Sequence, residues 1–406
     1  MQKDIIKIIS IVLITVILAA TVLSGCGGKQ QSQPTPSQSS QNATDNKEPI
    51  KIGHLCALTG DFSMWGQTAN NALLMEIEKI NAAGGINGKP LQLVYYDERG
   101  NQIEAVNVAN KMIDQDKVVA ILGPNESGIA IAATPAVKRA NIPLIAIAAT
   151  NPKVTQPQDN TVEKNVFRVC FIDPFQGKVA AQFAYNKLNV RKAAILYDVG
   201  SDYSAWLTKY FEDAFKEMCG EVVAKEAFRS GELDYRAMLG KIKQQNPELL
   251  FIPASQKEAA LAAKQARDLG MKCTFMGGDS WASPDLITLG GSAIEGAYCI
   301  NMASIEDPEI QGFVKEYRDK YNTDPIMPTS VLAIDALKVL IDAIKRAGTT
   351  DGPALIDALE KTKDLEVLTT KHFTMDPATH NPLNRPAIIQ QVKDGKFVYV
   401  EKYEAK

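Results

Sequence analysis

The chain has 406 residues, with 44 Lys and Arg set against 47 Asp and Glu, for a formal net charge of −3. That balance argues against a nucleic-acid partner, which would call for a basic face. The three histidines, His54, His372 and His380, stand in no metal-ligand spacing, so neither a metal nor another cofactor is expected.

The first segment has Lys3 and Lys7 ahead of an apolar run from Ile8 to Val22, followed by Leu23-Ser24-Gly25-Cys26. The charge and the run read as an export signal. A Leu, two small residues and a Cys resemble the lipobox of bacterial lipoproteins. The resemblance implies removal of residues 1–25 and a diacylglycerol on the Cys26 thiol. The alternative, a lone transmembrane anchor, would need about 20 apolar residues, more than this run supplies. Residues 26–49 are then the lipidated Cys and a polar tether rich in Gly, Gln, Ser and Pro. Such a segment cannot bury enough surface to offset the entropy of ordering it. If Cys26 carries lipid, Cys56, Cys170, Cys219, Cys273 and Cys299 remain, an odd number in no C-x-x-C spacing. They read as buried free thiols more readily than as a disulfide framework.

From Ile50 onward, short β-rich runs alternate with helical patterns. The strands are expected at Ile50–Leu55, Leu91–Tyr96, Val118–Leu122, Pro143–Ala148, Ala193–Tyr197, Leu249–Pro253, Thr274–Met276 and Gly296–Ile300. Helices are expected between and beyond them. In Thr68–Ala82, Ala69, Ala72, Leu73, Ile77 and Ile80 share a face, and Gly84-Gly85 ends the pattern. Others are Ile129–Ala140, Phe175–Leu188, Tyr203–Met218, Tyr235–Gln245, Lys257–Leu269, Glu309–Tyr321 and Val331–Ala347. Alternation of this kind predicts parallel sheets covered on both faces, with enough strands for two. The tail differs: Ala387–Val392 and Lys396–Tyr403 flank Asp394-Gly395, a hairpin signal.

No nucleophile elbow, P-loop, H-E-x-x-H or strand-linked G-x-G-x-x-G is present. The carboxylates lie mostly on helices among Lys and Arg, where a solvated face accounts for them. The chain is expected not to be an enzyme.

Four stretches carry a family resemblance. They are Gly53-His54-Leu55-Cys56-Ala57-Leu58-Thr59-Gly60-Asp61-Phe62-Ser63-Met64-Trp65-Gly66 with the helix end Asn81-Ala82-Ala83-Gly84-Gly85-Ile86-Asn87-Gly88; Val94-Tyr95-Tyr96-Asp97-Glu98; Ile121-Leu122-Gly123-Pro124-Asn125-Glu126-Ser127; and Ala146-Ile147-Ala148-Ala149-Thr150-Asn151-Pro152. Together they resemble the solute-binding proteins of branched-chain amino acid (Leu/Ile/Val-type) ABC transporters. The resemblance implies the type I periplasmic-binding-protein fold, two doubly wound α/β lobes joined by three hinge crossings. By analogy the crossings fall near Val169–Phe171, Cys299–Met302 and Phe373–Asp376. Lobe 1 is then 50–170 plus 302–373, and lobe 2 is 171–301 plus 374–406.

Site residues follow from the same resemblance. Ser127 opens the helix after Val118–Leu122, where free N–H groups and a positive dipole end favour an anion. It is expected to hold the ligand carboxylate, although a plain N-cap is the alternative. Ala148, Ala149 and Thr150 end a strand at the cleft edge, where open α/β sheets bind ligands, and are expected to contact the carboxylate and α-amino groups. Asp279 stands where the family carries an acid for the α-ammonium, usually a Glu. Trp65 and Tyr203 are expected to wall the side-chain pocket. Two departures from the family bear on specificity. Ser255 replaces an aromatic residue, leaving a smaller or wetter wall. Glu126 stands where an uncharged residue is usual; it either faces the cleft, favouring a polar or cationic side chain, or faces solvent. The expected protein is a lipid-anchored monomer on the extracytoplasmic face of the cell membrane, serving an ABC permease as partner. A sensory module reporting to a membrane receptor is the alternative.

Overall fold

The computed structural model describes residues 48–158, 161–383 and 385–403. The expected signal segment, Cys26 and most of the tether lie outside them. In the first half the strands are β1 (Ile50–Cys56), β2 (Leu91–Asp97), β3 (Ala120–Leu122), β4 (Leu144–Ala146) and β5 (Val166–Arg168). They form a sheet of order β2-β1-β3-β4-β5 in which every pair is parallel. Helices α1 (Ser63–Ala82), α2 (Gln102–Lys111) and α3 (Ser127–Ala140) connect them. Ala69, Leu73 and Ile77 of α1 cover one face, while Ala105 and Ala109 of α2 and Ile129, Ala133 and Val137 of α3 cover the other. A parallel sheet needs both faces covered, because its strands are apolar on both. Gly85 is fixed by space and backbone together. It sits at φ +72°, and a Cβ there would lie 2.1 Å from the Lys89 carbonyl oxygen.

The second half begins with α4 (Asp173–Asn186) and runs through β6 (Lys192–Asp198), α5 (Asp202–Glu217), β7 (Glu221–Phe228), α6 (Arg236–Gln244), β8 (Leu249–Phe251), α7 (Gln256–Asp268), β9 (Thr274–Gly277), α8 (Pro284–Gly290) and β10 (Tyr298–Asn301). The chain then returns as α9 (Gln311–Tyr321), α10 (Pro328–Ala347) and α11 (Gly352–Glu360), with α10 packed on α1 of the first half. A small pair, β11 (Thr374–Met375) and β12 (Pro382–Leu383), precedes the hairpin β13 (Ala387–Lys393) and β14 (Lys396–Tyr403). The hairpin completes a sheet of order β14-β13-β10-β9-β8-β6-β7, where only the β13 pairings are antiparallel. Phe183, Phe211 and Phe215 lie on one face of it, with the Phe211 and Phe251 rings stacked 4.1 Å apart. Leu239, Ile242, Ala259, Ala263 and Leu286 cover the other.

Several features differ from the sequence expectation. β7 was not anticipated, because it is an edge strand whose Glu221, Lys225 and other side chains face solvent. β5, α8 and α11 were also unassigned. The third crossing comes later than Phe373–Asp376. Residues 374–383 stay with the first half: His380 Nδ1 lies 3.0 Å from the Val166 carbonyl oxygen, and its ring stacks 4.1 Å from that of Phe167. Arg385 Nη2 donates to Asp335 Oδ2 of α10 at 2.9 Å, and the chain enters the second sheet only at Ala387. Strands of two residues in a turn-rich stretch carry too little pattern to be read. The five described cysteines are free; Cys56, Cys170 and Cys299 are buried, whereas Cys219 is exposed.

Asp335 is fully buried and also accepts from the N–H groups of Leu368 and Thr369. Removing its cation would strand a buried charge, which typically costs 3–5 kcal/mol. Arg385→Met is therefore expected to lower stability by about 3 kcal/mol in urea melts, and Asp335→Asn in the same chain to recover part of it. A loss below about 1 kcal/mol would show that this pair does not pin the third crossing.

Candidate functional site

A cavity of about 500 Å³ lies between the two sheets. Its walls are loops that follow strands: Gly60–Trp65 after β1, Arg99–Gln102 after β2, Asn125–Ile129 after β3 and Ala148 after β4 on one side. On the other side are Asp198–Tyr203 after β6, Ser230 and Gly231 after β7, Ala254–Glu258 after β8, and Asp279 and Ser280 after β9. Trp65, Ser127, Ala148, Tyr203 and Asp279, from seven expected positions, line this one cavity.

Asp279 begins a turn directly after β9 and is 4 % exposed. Gln176 of α4 holds it with a matched pair of hydrogen bonds. Gln176 Nε2 donates to Asp279 Oδ1 at 2.8 Å, and Gln176 Oε1 accepts from the Asp279 N–H at 3.0 Å. Gly278 lets this happen, since a Cβ there would come within 2.2 Å of the Tyr203 hydroxyl and 2.3 Å of Gln176 Oε1. Burial pushes the Asp279 carboxyl up to about 6, and the bonds from Gln176 and Tyr203 hold it back from rising further. Ser280 Oγ donates to the Ala254 carbonyl at 2.7 Å and lies 3.2 Å from the Tyr203 hydroxyl, which fixes the ring over the cavity.

Ser127 is the first residue of α3, and Glu126 occupies the capping position, so the hydroxyl does not cap its own helix. Ser127 Oγ instead accepts from the Asn151 N–H at 3.1 Å. Its own proton is thereby directed elsewhere, at a helix start with free N–H groups. Asn151 in turn is held by Arg168, the last residue of β5. This guanidinium is fully buried and donates to four acceptors around the loop: the Ala149 carbonyl at 2.6 Å, the Asn151 carbonyl at 2.8 Å, Thr155 Oγ1 at 3.2 Å and, more weakly, the Pro152 carbonyl at 3.5 Å.

Ala149 and Thr150 are placed differently from expectation. Neither lines the cavity, and both are fully buried behind Ala148. The Ala149 carbonyl is taken by Arg168. The Thr150 hydroxyl stands beside the Asp173 carboxyl in a geometry short of a hydrogen bond. Asp173 itself was missed. It is the first residue of α4, fully buried, and burial pushes it up to about 8, with the Asp279 charge adding to the rise. Gln176 was missed as well; nothing local marks a Gln on a helix as the partner of an acid 103 residues away.

A second polar group lies in the β3–α3 loop. Asn125 is 7 % exposed, and its amide nitrogen and oxygen have no hydrogen-bond partner. Glu126 is partly exposed as a residue, yet both its carboxylate oxygens are buried and unpartnered in the wall. Burial pushes its carboxyl well up, and the neighbouring Glu98 adds to this. The Glu126 carboxylate is thus turned into the wall, away from solvent.

Contacts cross the mouth. Gln256 Nε2 donates to the Asp61 carbonyl at 2.7 Å, Lys257 Nζ pairs with Asp61 Oδ1 at 3.0 Å, and Asn151 Nδ2 donates to the Asp202 carbonyl at 2.9 Å. Trp65 packs with Ala282 and Met327. The halves are therefore closed over the cavity. Ser255, the small residue in the wall, forms a capping box with Glu258 on α7. Among the described residues no cluster of His, Cys, Asp or Glu could hold a metal ion.

Residues 49–396 match the family model described as periplasmic binding protein. The chain is 32% identical to a leucine binding protein LivK from Thermotoga maritima, at a TM-score of 0.80 covering 87% of this chain and 98% of that one. It is 30% identical to the substrate binding protein LivJ of a branched-chain amino acid transporter from Streptococcus pneumoniae, solved in complex with isoleucine, at a TM-score of 0.80 covering 88% and 100%. A leucine-, isoleucine-, valine-, threonine- and alanine-binding protein from Pseudomonas aeruginosa is 28% identical over 316 residues, 77% of this chain and 82% of that protein. The architecture of two helix-covered sheets closing on a cavity is the type I periplasmic-binding-protein fold, and the chain belongs to the periplasmic binding protein family.

Proposed function

We propose that this protein is a lipid-anchored solute-binding protein, not a catalyst, that captures one amino acid between its halves and delivers it to an ABC permease. The observation that carries this reading is charge placement across the cavity. A buried carboxylate, Asp279, held by Gln176, lies on one wall, and the Ser127 hydroxyl at a helix start lies on the other. A zwitterion presents the matching charges, ammonium to Asp279 and carboxylate to Ser127 and the N–H groups of α3. Trp65, Tyr203 and Ala148 wall the remainder, and Ala149 and Thr150 support the wall from behind. The similarity to leucine- and isoleucine-binding relatives supports the amino-acid assignment. On this reading the protein acts as a monomer, and Cys26 carries the lipid that keeps it at the extracytoplasmic face of the membrane. No described helix is long and apolar enough to cross a membrane.

The ammonium contact gives the sharpest test. Asp279→Asn keeps the shape and loses the charge, and is expected to weaken binding at least about 30-fold in calorimetric titration. Binding within about threefold of the original would remove the ammonium from this site. Acidity should act in the same direction. The carboxyl titrates at about 6 in the unliganded protein, so the form that attracts ammonium is lost as the pH falls. Affinity should drop about tenfold from pH 7 to pH 5, whereas unliganded stability should rise over that interval, since the folded state binds the proton more tightly than the unfolded one.

Closure is tested at Gln256. It is 1 % exposed and bridges to Asp61 in the other half. Gln256→Ala is expected to raise the radius of gyration in small-angle scattering and weaken binding about 3- to 10-fold, because apparent affinity scales with the closed fraction. Unchanged scattering would mean that this contact does not hold the closed form.

The anchor is tested at Cys26, where Cys26→Ser should abolish incorporation of labelled fatty acid and leave the precursor uncut. Continued labelling would overturn the lipoprotein assignment.

A further inference from the structure

We propose that β2 is a pairing edge, and that it takes the β2 of a second copy of this chain, antiparallel, about a two-fold axis at Val94. This goes beyond the reading above: each copy keeps its own cavity and captures its ligand alone. Four strands end the two large sheets: β2, β5, β7 and β14. A free edge is a template for another strand, and proteins guard such edges with cover, charge or a bulge. Three of the four are guarded. On β5 the Arg168 N–H donates to the His380 carbonyl at 3.3 Å, and His380 Nδ1 covers the Val166 carbonyl. β7 carries Glu221, Lys225 and Glu226 and shifts register against β6. β14 carries Lys396, Glu401 and Lys402 and shifts register against β13. β2 has none of these devices. It runs Leu91-Gln92-Leu93-Val94-Tyr95-Tyr96 before its first charge, Asp97, and pairs with β1 without a shift. Tyr95 on it is 42 % exposed.

Hydrogen bonds fix which groups the edge offers. The Ile50 N–H donates to the Pro90 carbonyl at 2.8 Å, and the Glu98 N–H to the Cys56 carbonyl at 3.1 Å. Even-numbered residues of β2 therefore face β1, and odd-numbered ones face outward. Asn81 of α1 occupies the first outward position: its Oδ1 accepts from the Leu91 N–H at 2.7 Å, and its Nδ2 donates to the Leu91 carbonyl at 2.9 Å. The N–H and C=O of Leu93 and Tyr95 have no protein partner among the described residues. Antiparallel pairing centred on Val94 sets Leu93 of each copy opposite Tyr95 of the other, and such a pair exchanges both of its hydrogen bonds. Other registers fail. A shift of one residue brings outward groups against residues already turned to β1. A shift of two needs the Leu91 groups that Asn81 holds, or in the other direction runs the Arg99–Gly100 turn, both at positive φ, into Leu91. The side chains agree with the backbone. Residues opposite one another share a face, so Leu93 meets Tyr95 on one face, and on the other Val94 meets its own copy between Gln92–Tyr96 pairs. Beside the edge, Lys111 Nζ lies 3.9 Å from the Tyr96 ring centre and Asp116 Oδ2 lies 3.1 Å from its hydroxyl, so the flank is balanced in charge. A contact of this kind uses up both edges and closes at two copies.

The test is register-specific cross-linking of the full-length chain, purified in mild detergent. Val94→Cys puts two thiols on the two-fold axis, with Cα atoms about 4.5 Å apart and within disulfide reach. Gln92→Cys puts its thiols four residues out of step, about 13 Å apart. Cys219 is exposed in both variants and sets the common background. Oxidation with copper phenanthroline is expected to join Val94→Cys into a covalent dimer at least about tenfold faster than Gln92→Cys. Sedimentation keeps the proposal open to refutation should Val94→Cys not fold. The unsubstituted chain is expected to pass from one copy to two between about 1 and 100 μM, and Tyr95→Pro to stay single. A Pro at this place gives up only the outward N–H, so the fold keeps its own hydrogen bonds. If the Pro variant melts lower, Tyr95→Lys, a guarding charge on the same edge, takes its place with the same expected result. Equal cross-linking of the two Cys variants overturns the proposal. So does a single copy at about 100 μM, an assembly larger than two, or pairing that survives the Tyr95 substitutions.

Discussion

Both sheets turn the carboxyl ends of their parallel strands toward the same space, and nearly everything else about this molecule depends on that constraint. In a parallel sheet all strands point one way, so all strand-to-helix loops gather on one edge. Here β1 to β4 bring four such loops to the cavity, and β6 to β9 bring four more from the opposite side. The apolar cores behind them set the loops' positions; the loops are free to carry polarity. Helix starts belong to the same edge. Ser127 and Asp202 are first residues of helices, and their free N–H groups and dipoles face inward as a consequence of chain direction.

Polarity in the cavity is organised by burial more than by ion pairing. Asp279, Asp173, Glu98 and Glu126 are all pushed toward their neutral forms by loss of water. At Asp279, hydrogen bonds from Gln176 and Tyr203 oppose that rise by stabilising its charge. One bond from the Gln176 amide reaches the carboxylate, and the other, from the Asp279 backbone N–H to the Gln176 oxygen, fixes the amide in place, which keeps a carboxylate available in a dry site. Arg168 has a complementary role. Its charge is spent on carbonyls and a hydroxyl, so it fixes the 149–155 loop without neutralising a ligand-facing acid.

Much of the architecture was legible in the sequence, because long apolar patterns fix strands and helices. The alternation from Ile50 to Ile300 translates directly into the two sheets, and Asp394-Gly395 into the β13–β14 turn. What escaped was exposed or short. β7 carries charges on an edge, and β11 and β12 are two residues each. For the site, the resemblance brought Trp65, Ser127, Ala148, Tyr203 and Asp279 to one cavity, but it could not separate Ala148, which lines the cavity, from Ala149, which is buried behind it. Nor could it find Gln176, Asp173 or Gln256, which matter through partners distant in sequence. The direction of Glu126 was open in the sequence, and packing turns its carboxylate into the wall.

The chain passes between the halves three times, at 169–172, after β10 and at Pro386–Ala387. Neither half is a continuous stretch of sequence, and the last strands of the second half are made only after the first half has been completed twice over. No single cut therefore separates two self-sufficient pieces. During synthesis the second sheet has to wait for β13 and β14 before its β10 edge is covered. Three neighbouring tethers also resist twisting far better than bending. The permitted motion reduces to opening and shutting about one line, and a closed form reached that way returns the same wall atoms to the same distances each time.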